Sequence, residues 1–152
     1  FLKGLSYESV LRKEEIGMSR RKAREIALQA LFQFDFTKNE DENLVDNLIK
    51  EQKNLNEKSI LFTKNIIKGT IANLEAIDET IKTVSNEWKI ERMAAVDRNI
   101  VRIAVFELKF NTEETAPNII INEAVEIAKI FGSDESSRFV NGILGALIKI
   151  DK

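Results

Sequence analysis

The chain has 152 residues, 23 basic and 25 acidic, with 43 % hydrophobic and 32 % charged side chains. That length and balance suit one soluble, globular domain with a core of its own, and a formal charge of −2 requires any nucleic-acid contact to come from a local patch. Cysteine and histidine are both absent, which excludes disulfides, thiolate and imidazole metal ligands, cysteine nucleophiles and Ser-His-Asp triads.

No apolar stretch approaches the ~20 residues that span a bilayer, and no secretory signal is visible. Neither a P-loop nor a GxGxxG pattern occurs. Carboxylate-only or carboxylate-lysine chemistry would need a spacing that the chain does not show. The expectation is therefore a non-enzymatic protein with no cofactor, no metal and no membrane contact, in a reducing, cytoplasmic compartment.

In chain order, Phe1 to Gly17 precedes a methionine, Met18, that stands directly before a basic segment. Met18 reads as the native start. Residues 1–17 then read as non-native or upstream sequence, with a genuine extra amphipathic helix as the alternative. From Ser19, a plausible N-cap, the residues Ala23, Ile26, Ala27, Ala30, Leu31 and Phe34 recur at helical spacing. The polar stretch Thr37 to Glu42 ends this helix, and Leu44, Val45, Leu48 and Ile49 mark a shorter second one.

Glu57 to about Ser85 reads as one long third helix. Ile60, Ile67, Leu74 and Ile81 recur every seventh position, with Thr63, Thr70, Ile77 and Val84 on the alternate seam. The two threonines favour packing within a bundle over an extended coiled coil. Gly69, mid-helix, suggests a kink or a close helix crossing. Trp88 and Ile90 to Ala95 read as a short connecting helix. Asp97 to Phe110 is apolar almost all round, the mark of an enclosed central helix. Pro117 suits a helix start, Ile119 to Phe131 a helix ended by Gly132, and Ser133 the cap of a last helix to about Ile150. Asn118 to Asn122 is β-branched enough to be ambiguous. The class is all-α: about seven helices in one compact bundle, or in two helical halves.

Four basic residues, Arg20, Arg21, Lys22 and Arg24, crowd into five positions at the start of the first helix. On a wheel of ~100° per residue, Arg24, Leu28, Phe32 and Phe36 form a ridge flanking the apolar stripe. Guanidinium groups bind phosphates bidentately, and aromatic rings stack on unpaired bases. Gln29 and Gln33 add donors and acceptors nearby. At a helix N-terminus such a cluster opposes the macrodipole, which hints at a use for the charge. The bland alternative is a solvated helix end whose phenylalanines pack on a neighbour.

The segment SRRKAREIALQALFQFDF resembles the first helix of the NusB family of bacterial transcription antitermination factors. AAVDRNIVRIAVFEL (Ala94 to Leu108) and INEAVEIAKIFGSDESSRFVNGILGAL (Ile121 to Leu147) match the same family in the same order. The resemblance implies an all-helical RNA-binding protein. With the small-subunit ribosomal protein NusE, it would bind the boxA element of ribosomal RNA leaders and help RNA polymerase pass terminators. It carries the RNA-binding role to Arg20, Arg21, Lys22, Arg24 and Gln29, and to Phe32, where many members have tyrosine. It does the same for Phe139 and Asn141 of the FVNG motif, with Lys129 and Arg138 flanking it and Glu135 in the loop before. Asn122, Glu123 and Asn141 can equally cap or bridge helices, and Phe139 is also a core candidate. Glu91, Asp97 and Arg102 lie near the region that meets NusE, although Arg102 can instead bridge helices internally. Homodimerisation in a form that covers the strip stays open. The competing readings are a helical protein-binding scaffold and a detached RNA-binding module of a ribosomal RNA methyltransferase.

Overall fold

The computed structural model describes residues 7–53, 55–85, 89–111 and 115–150, with side chains from Ser19 onward. These residues are all-α, with α1 (Tyr7–Thr37), α2 (Glu42–Lys50), α3 (Glu57–Ala72), α4 (Leu74–Lys82), α5 (Ala95–Val105), α6 (Pro117–Phe131) and α7 (Ser136–Ile150). A 3₁₀ turn, Ile90–Arg92, leads into α5, and a π-helical turn, Phe106–Phe110, leaves it. Trp88, expected in the connecting helix, lies outside the described residues.

α5 is the hub: it packs against α1, α3, α4, α6 and α7. Its residues from Asn99 to Val105 are all buried, as the all-round apolarity of that segment demands. A contiguous core joins it to Ala23, Ala27 and Leu31 of α1, Ile66 of α3, Ile77 and Ile81 of α4, Ile120 and Ile127 of α6, and Val140 and Leu144 of α7. The ambiguous residues after Pro117 are helical, and Gly132 closes α6.

Three expectations are corrected. First, Ser19 is not an N-cap: α1 begins at Tyr7, so Ser19 and the basic quartet lie inside a continuous helix. The macrodipole argument, which applies to the first turn, therefore does not apply to the quartet. Second, the long third helix divides at Asn73, whose backbone (φ −110°, ψ 17°) leaves the helical region. Its side-chain amide donates to the Gly69 carbonyl at 2.8 Å, replacing part of the interrupted ladder. The seven-residue pattern continues across the break because Ile67, Thr70, Ile77 and Ile81 still face the core. Third, Ser133 does not cap α7 with its hydroxyl; its own N–H donates to Ser136 Oγ at 2.9 Å.

Gly69 serves the close crossing. An added Cβ would overlap the ring of Phe106, which is 2 % exposed and has no room to move. Gly69→Ala is expected to lower stability by ~1–3 kcal/mol, the usual effect of overpacking, despite alanine's better helix propensity. A thermal melt of the variant checks this, and an unchanged or raised Tm would refute the steric account.

Asp35 near the end of α1 meets α5. Its carboxylate accepts from Arg98 Nε at 3.0 Å and lies 3.3 Å from Arg102, which also forms two 2.8 Å bonds to Asp78 of α4. Burial alone would raise the Asp35 carboxyl, but the Arg98 hydrogen bond and the charges of Arg102 and Arg98 pull it down to about 2. A carboxylate depressed on folding stabilises the protein above its unfolded pKa of ~4 and ceases to do so as pH falls through the folded value. Asp35→Asn is thus expected to lose about 2 kcal/mol at neutral pH, with the gap to the parent protein narrowing between pH ~4 and ~2. Urea midpoints across that range test it; a constant gap would contradict the assignment.

Candidate nucleic-acid interface

The basic quartet is divided by the rotation of α1. Ala23, Ala27, Ala30 and Leu31 face the core, and Arg24 turns inward with them, its side chain 4 % exposed. Its guanidinium forms a bidentate pair with Glu107, with Nε and Nη2 each 2.8 Å from a carboxylate oxygen. Glu107 sits in the π-helical turn after α5 and is equally buried. Assigning Arg24 to the surface strip is therefore corrected: the core does use it. Arg24 also lies 5.1 Å from the centroid of the buried Phe62 ring, and Arg20 lies 4.7 Å from the same ring. Arg20 additionally makes a long 3.5 Å contact with Thr115 Oγ1.

Arg21 is part-exposed and held bidentately by Glu123 of α6, at 2.7 and 3.1 Å. That hydrogen bond, reduced by some desolvation, keeps the arginine's pKa above its ordinary value. Lys22 is exposed, 3.3 Å from Glu25. The outward strip is thus Arg21 and Lys22, bordered by Glu123 and Glu25, with half-buried Arg20 lying over Phe62 at its edge. Further along α1, Gln29 is exposed, Leu28 of the flanking ridge is buried, and Phe32 and Phe36 are 45 % and 85 % exposed. Those two rings are not core.

At the other end of the chain, Lys129 is exposed and 3.2 Å from Glu126. Arg138 and Asn141 are exposed on α7, whereas Phe139 is partly buried and packs on the core. Arg138, Asn141, Gly142 and Gly145 follow the i, i+3, i+4, i+7 spacing of one helix face. A Cβ on either glycine would meet nothing within 4 Å. Each glycine costs the helix roughly 1 kcal/mol relative to alanine with no packing reason inside the chain. A bare backbone there suits the close approach of something outside it.

The expected protein-binding set is not one surface. Glu91 is exposed on the 3₁₀ turn. Asp97 is half-buried, and one of its carboxylate oxygens lacks a hydrogen-bond donor among the described residues. Arg102 is 6 % exposed and committed to Asp78 and Asp35, so its place on a partner surface is corrected in favour of the internal bridge.

Sequence reasoning did not single out Glu107, Asp35, Asp78 or Phe62. The available signal was Glu107 itself, a lone carboxylate in an otherwise apolar stretch, which in a buried helix requires a cationic partner.

These features define an all-α protein that presents a basic helix face and, from its last helix, a second face of exposed polar and glycine residues. The sequence profile of the NusB family matches residues 21–149. A transcription antitermination protein NusB from Bacillus cereus (strain B4264) is 48 % identical over 128 residues, covering 84 % of this chain and 95 % of the relative. Among solved structures, T. maritima NusB is 35 % identical with a TM-score of 0.75, over 86 % of this chain and 90 % of that one. A chain from the crystal structure of antitermination factors NusB and NusE in complex with dsRNA is 26 % identical with a TM-score of 0.76, over 88 % of this chain and 98 % of that one. The chain belongs to the NusB family.

Removing Arg24 separates its role from that of the strip. Arg24→Ala leaves Glu107 buried and unpaired, and a loss of ~3–5 kcal/mol of stability is expected. The double change Arg24→Met, Glu107→Leu should recover most of it, because both charges leave together. Urea denaturation of the two variants measures this; equal losses would show that the pair itself does not carry the effect.

Proposed function

We propose that the protein is a transcription antitermination factor that binds boxA-type single-stranded RNA of ribosomal RNA leaders together with ribosomal protein NusE. In this role it supports processive ribosomal RNA synthesis in the cytoplasm as part of the RNA polymerase antitermination complex. The observation that carries the reading is the outward strip of Arg21 and Lys22, with half-buried Arg20 at its edge, braced on α6 through Glu123, in a chain of the NusB family. The relative solved with NusE and dsRNA shares this fold. No helix of the described residues is long and apolar enough to cross a membrane.

Phosphates of the RNA would meet Arg20, Arg21 and Lys22, with Arg138 contributing from α7, while Gln29 and Asn141 supply hydrogen-bonding groups to base edges or sugars. Phe32 offers a stacking face without the hydroxyl of tyrosine. Phe139, largely committed to core packing, supports the position of Arg138 and Asn141. Lys129, paired with Glu126, lies beside that group. For NusE, exposed Glu91, flanked by exposed Lys89 and Arg92, and half-buried Asp97 would offer separate carboxylates rather than one acidic patch.

Glu123 competes with phosphate for the Arg21 guanidinium, since both are anions that accept its paired N–H donors. With a boxA RNA and purified NusE over a salt series, Lys22→Ala with Arg138→Ala is expected to weaken binding and flatten the salt slope by about 1–2 phosphate contacts. Glu123→Gln, which removes the competing charge, should tighten binding and steepen the slope. Binding that ignores all three substitutions, or does not depend on NusE, would refute this reading.

A further inference from the structure

Away from the strip, a cleft of about 170 Å³ opens between the C-terminal half of α1, the turn after it, α2 and α3. Its floor is apolar, built from Ala30, Phe34, Val45, Ile67 and Ile71, and Glu40, Asp41, Glu42 and Asp46 face Lys64 and Lys68 around it. The cleft exists because α2 covers the bundle incompletely. This helix has nine residues and none is buried; Leu44, Val45, Leu48 and Ile49 are each only half-buried.

We propose that this cleft docks a basic protein segment that inserts one large apolar side chain, the size of leucine or phenylalanine. The volume sets the occupant. It resembles an apolar cavity of ~150 Å³ that accepts a benzene-sized group, and it falls short of the ~300 Å³ or more of a small-molecule or cofactor site. The charge sets the flanks. Asp41 is turned inward to cap α2, accepting from Leu44 N at 3.0 Å, and Asp46 lies 3.7 Å from Lys64. Among the described residues, no cation forms an ion pair with Glu40 or Glu42, and both are exposed. The rim therefore stays acidic. It complements lysine or arginine on either side of the inserted group and repels nucleic acid.

The site is separate from the RNA strip: Lys22 lies eight positions before Ala30, the first cleft residue, about 12 Å along α1. Of the exposed rings, Phe32 follows Ala30 by two positions and points about 200° away around α1, whereas Phe36 follows the cleft residue Gln33 by three and lies beside the cleft face. The middle of α1 thus carries a basic face for polyanions, and its C-terminal part lines an acidic-rimmed cleft for a polycation.

Three synthetic nonapeptides test the proposal on the full chain by amide chemical-shift mapping. One has a central leucine flanked by Lys and Arg, one replaces the leucine by serine, and one keeps the leucine between Glu residues. The basic leucine peptide is expected to bind saturably, shifting the amides of Leu44, Val45, Ile67 and Ile71. The other two should bind at least about tenfold more weakly. Glu40→Gln with Glu42→Gln should weaken the basic leucine peptide about fivefold while boxA RNA binding stays unchanged. No saturable binding at millimolar peptide, shifts at a different surface, equal binding of the serine peptide, or indifference to the double substitution would each overturn the proposal. Loss of RNA binding in the double variant would also overturn it, because the two sites would then not be separate.

Discussion

The rotation of α1 about its own axis depends on one buried contact, the bidentate Arg24–Glu107 pair. A guanidinium and a carboxylate that are both nearly sealed from water hold each other tightly, because either alone in that position would be strongly unfavourable. Fixing Arg24 inward sets the direction in which each of its basic neighbours points. Arg21 and Lys22 then point away from the core at helical offsets, and Arg20 lies across the Phe62 ring. The outward strip is the geometric consequence of an inward arginine.

A second charge cluster, at Asp35, completes this constraint. α1 offers a cation at Arg24 and an anion at Asp35; α5 offers cations at Arg98 and Arg102 and, just beyond it, an anion at Glu107. Opposites meet only when the two helices run antiparallel. Reversing α1 would set Arg24 beside Arg98 and Arg102, and Asp35 beside Glu107, with like charges facing each other in a poorly solvated space. Leu31 or Ile100 would pack acceptably in either direction, since apolar contacts carry little directional information. The ion pairs choose the direction, and the apolar stripe supplies the driving force.

This division of labour explains what could be read from residues alone. The stripe of Ala23, Ala27 and Leu31, the enclosed helix around Val101, and the Pro117 and Gly132 boundaries follow from periodicity and cap chemistry, which are local. The break at Asn73 was hidden because the seven-residue repeat continues through it, and a repeat reports which face is apolar rather than whether the axis is straight. The start of α1 was misplaced because Ser19 resembles a cap in a segment where nothing forces a stop. Within the candidate site, Arg21 and Lys22 were legible as outward charges. The fate of Arg24 was not, because its partner lies 83 positions away and only the tertiary fold brings the two together.

The same pairings shape how a polyanion would be held on the proposed reading. The chain carries a net charge of −2, so its long-range field does not draw RNA in. The strip itself is bordered by Glu123 and Glu25, so a phosphate reaching Arg21 exchanges one anion for another instead of neutralising a bare charge. The gain from such an exchange is small, and affinity then rests on several contacts made together. A basic protein seated alongside would lift this restraint by adding positive charge and by ordering the RNA across both surfaces. On that reading, cooperation with a second protein is what the electrostatics of this site would favour: a strip already occupied by its own carboxylates would discriminate against stray polyanions and respond to one presented in the right complex.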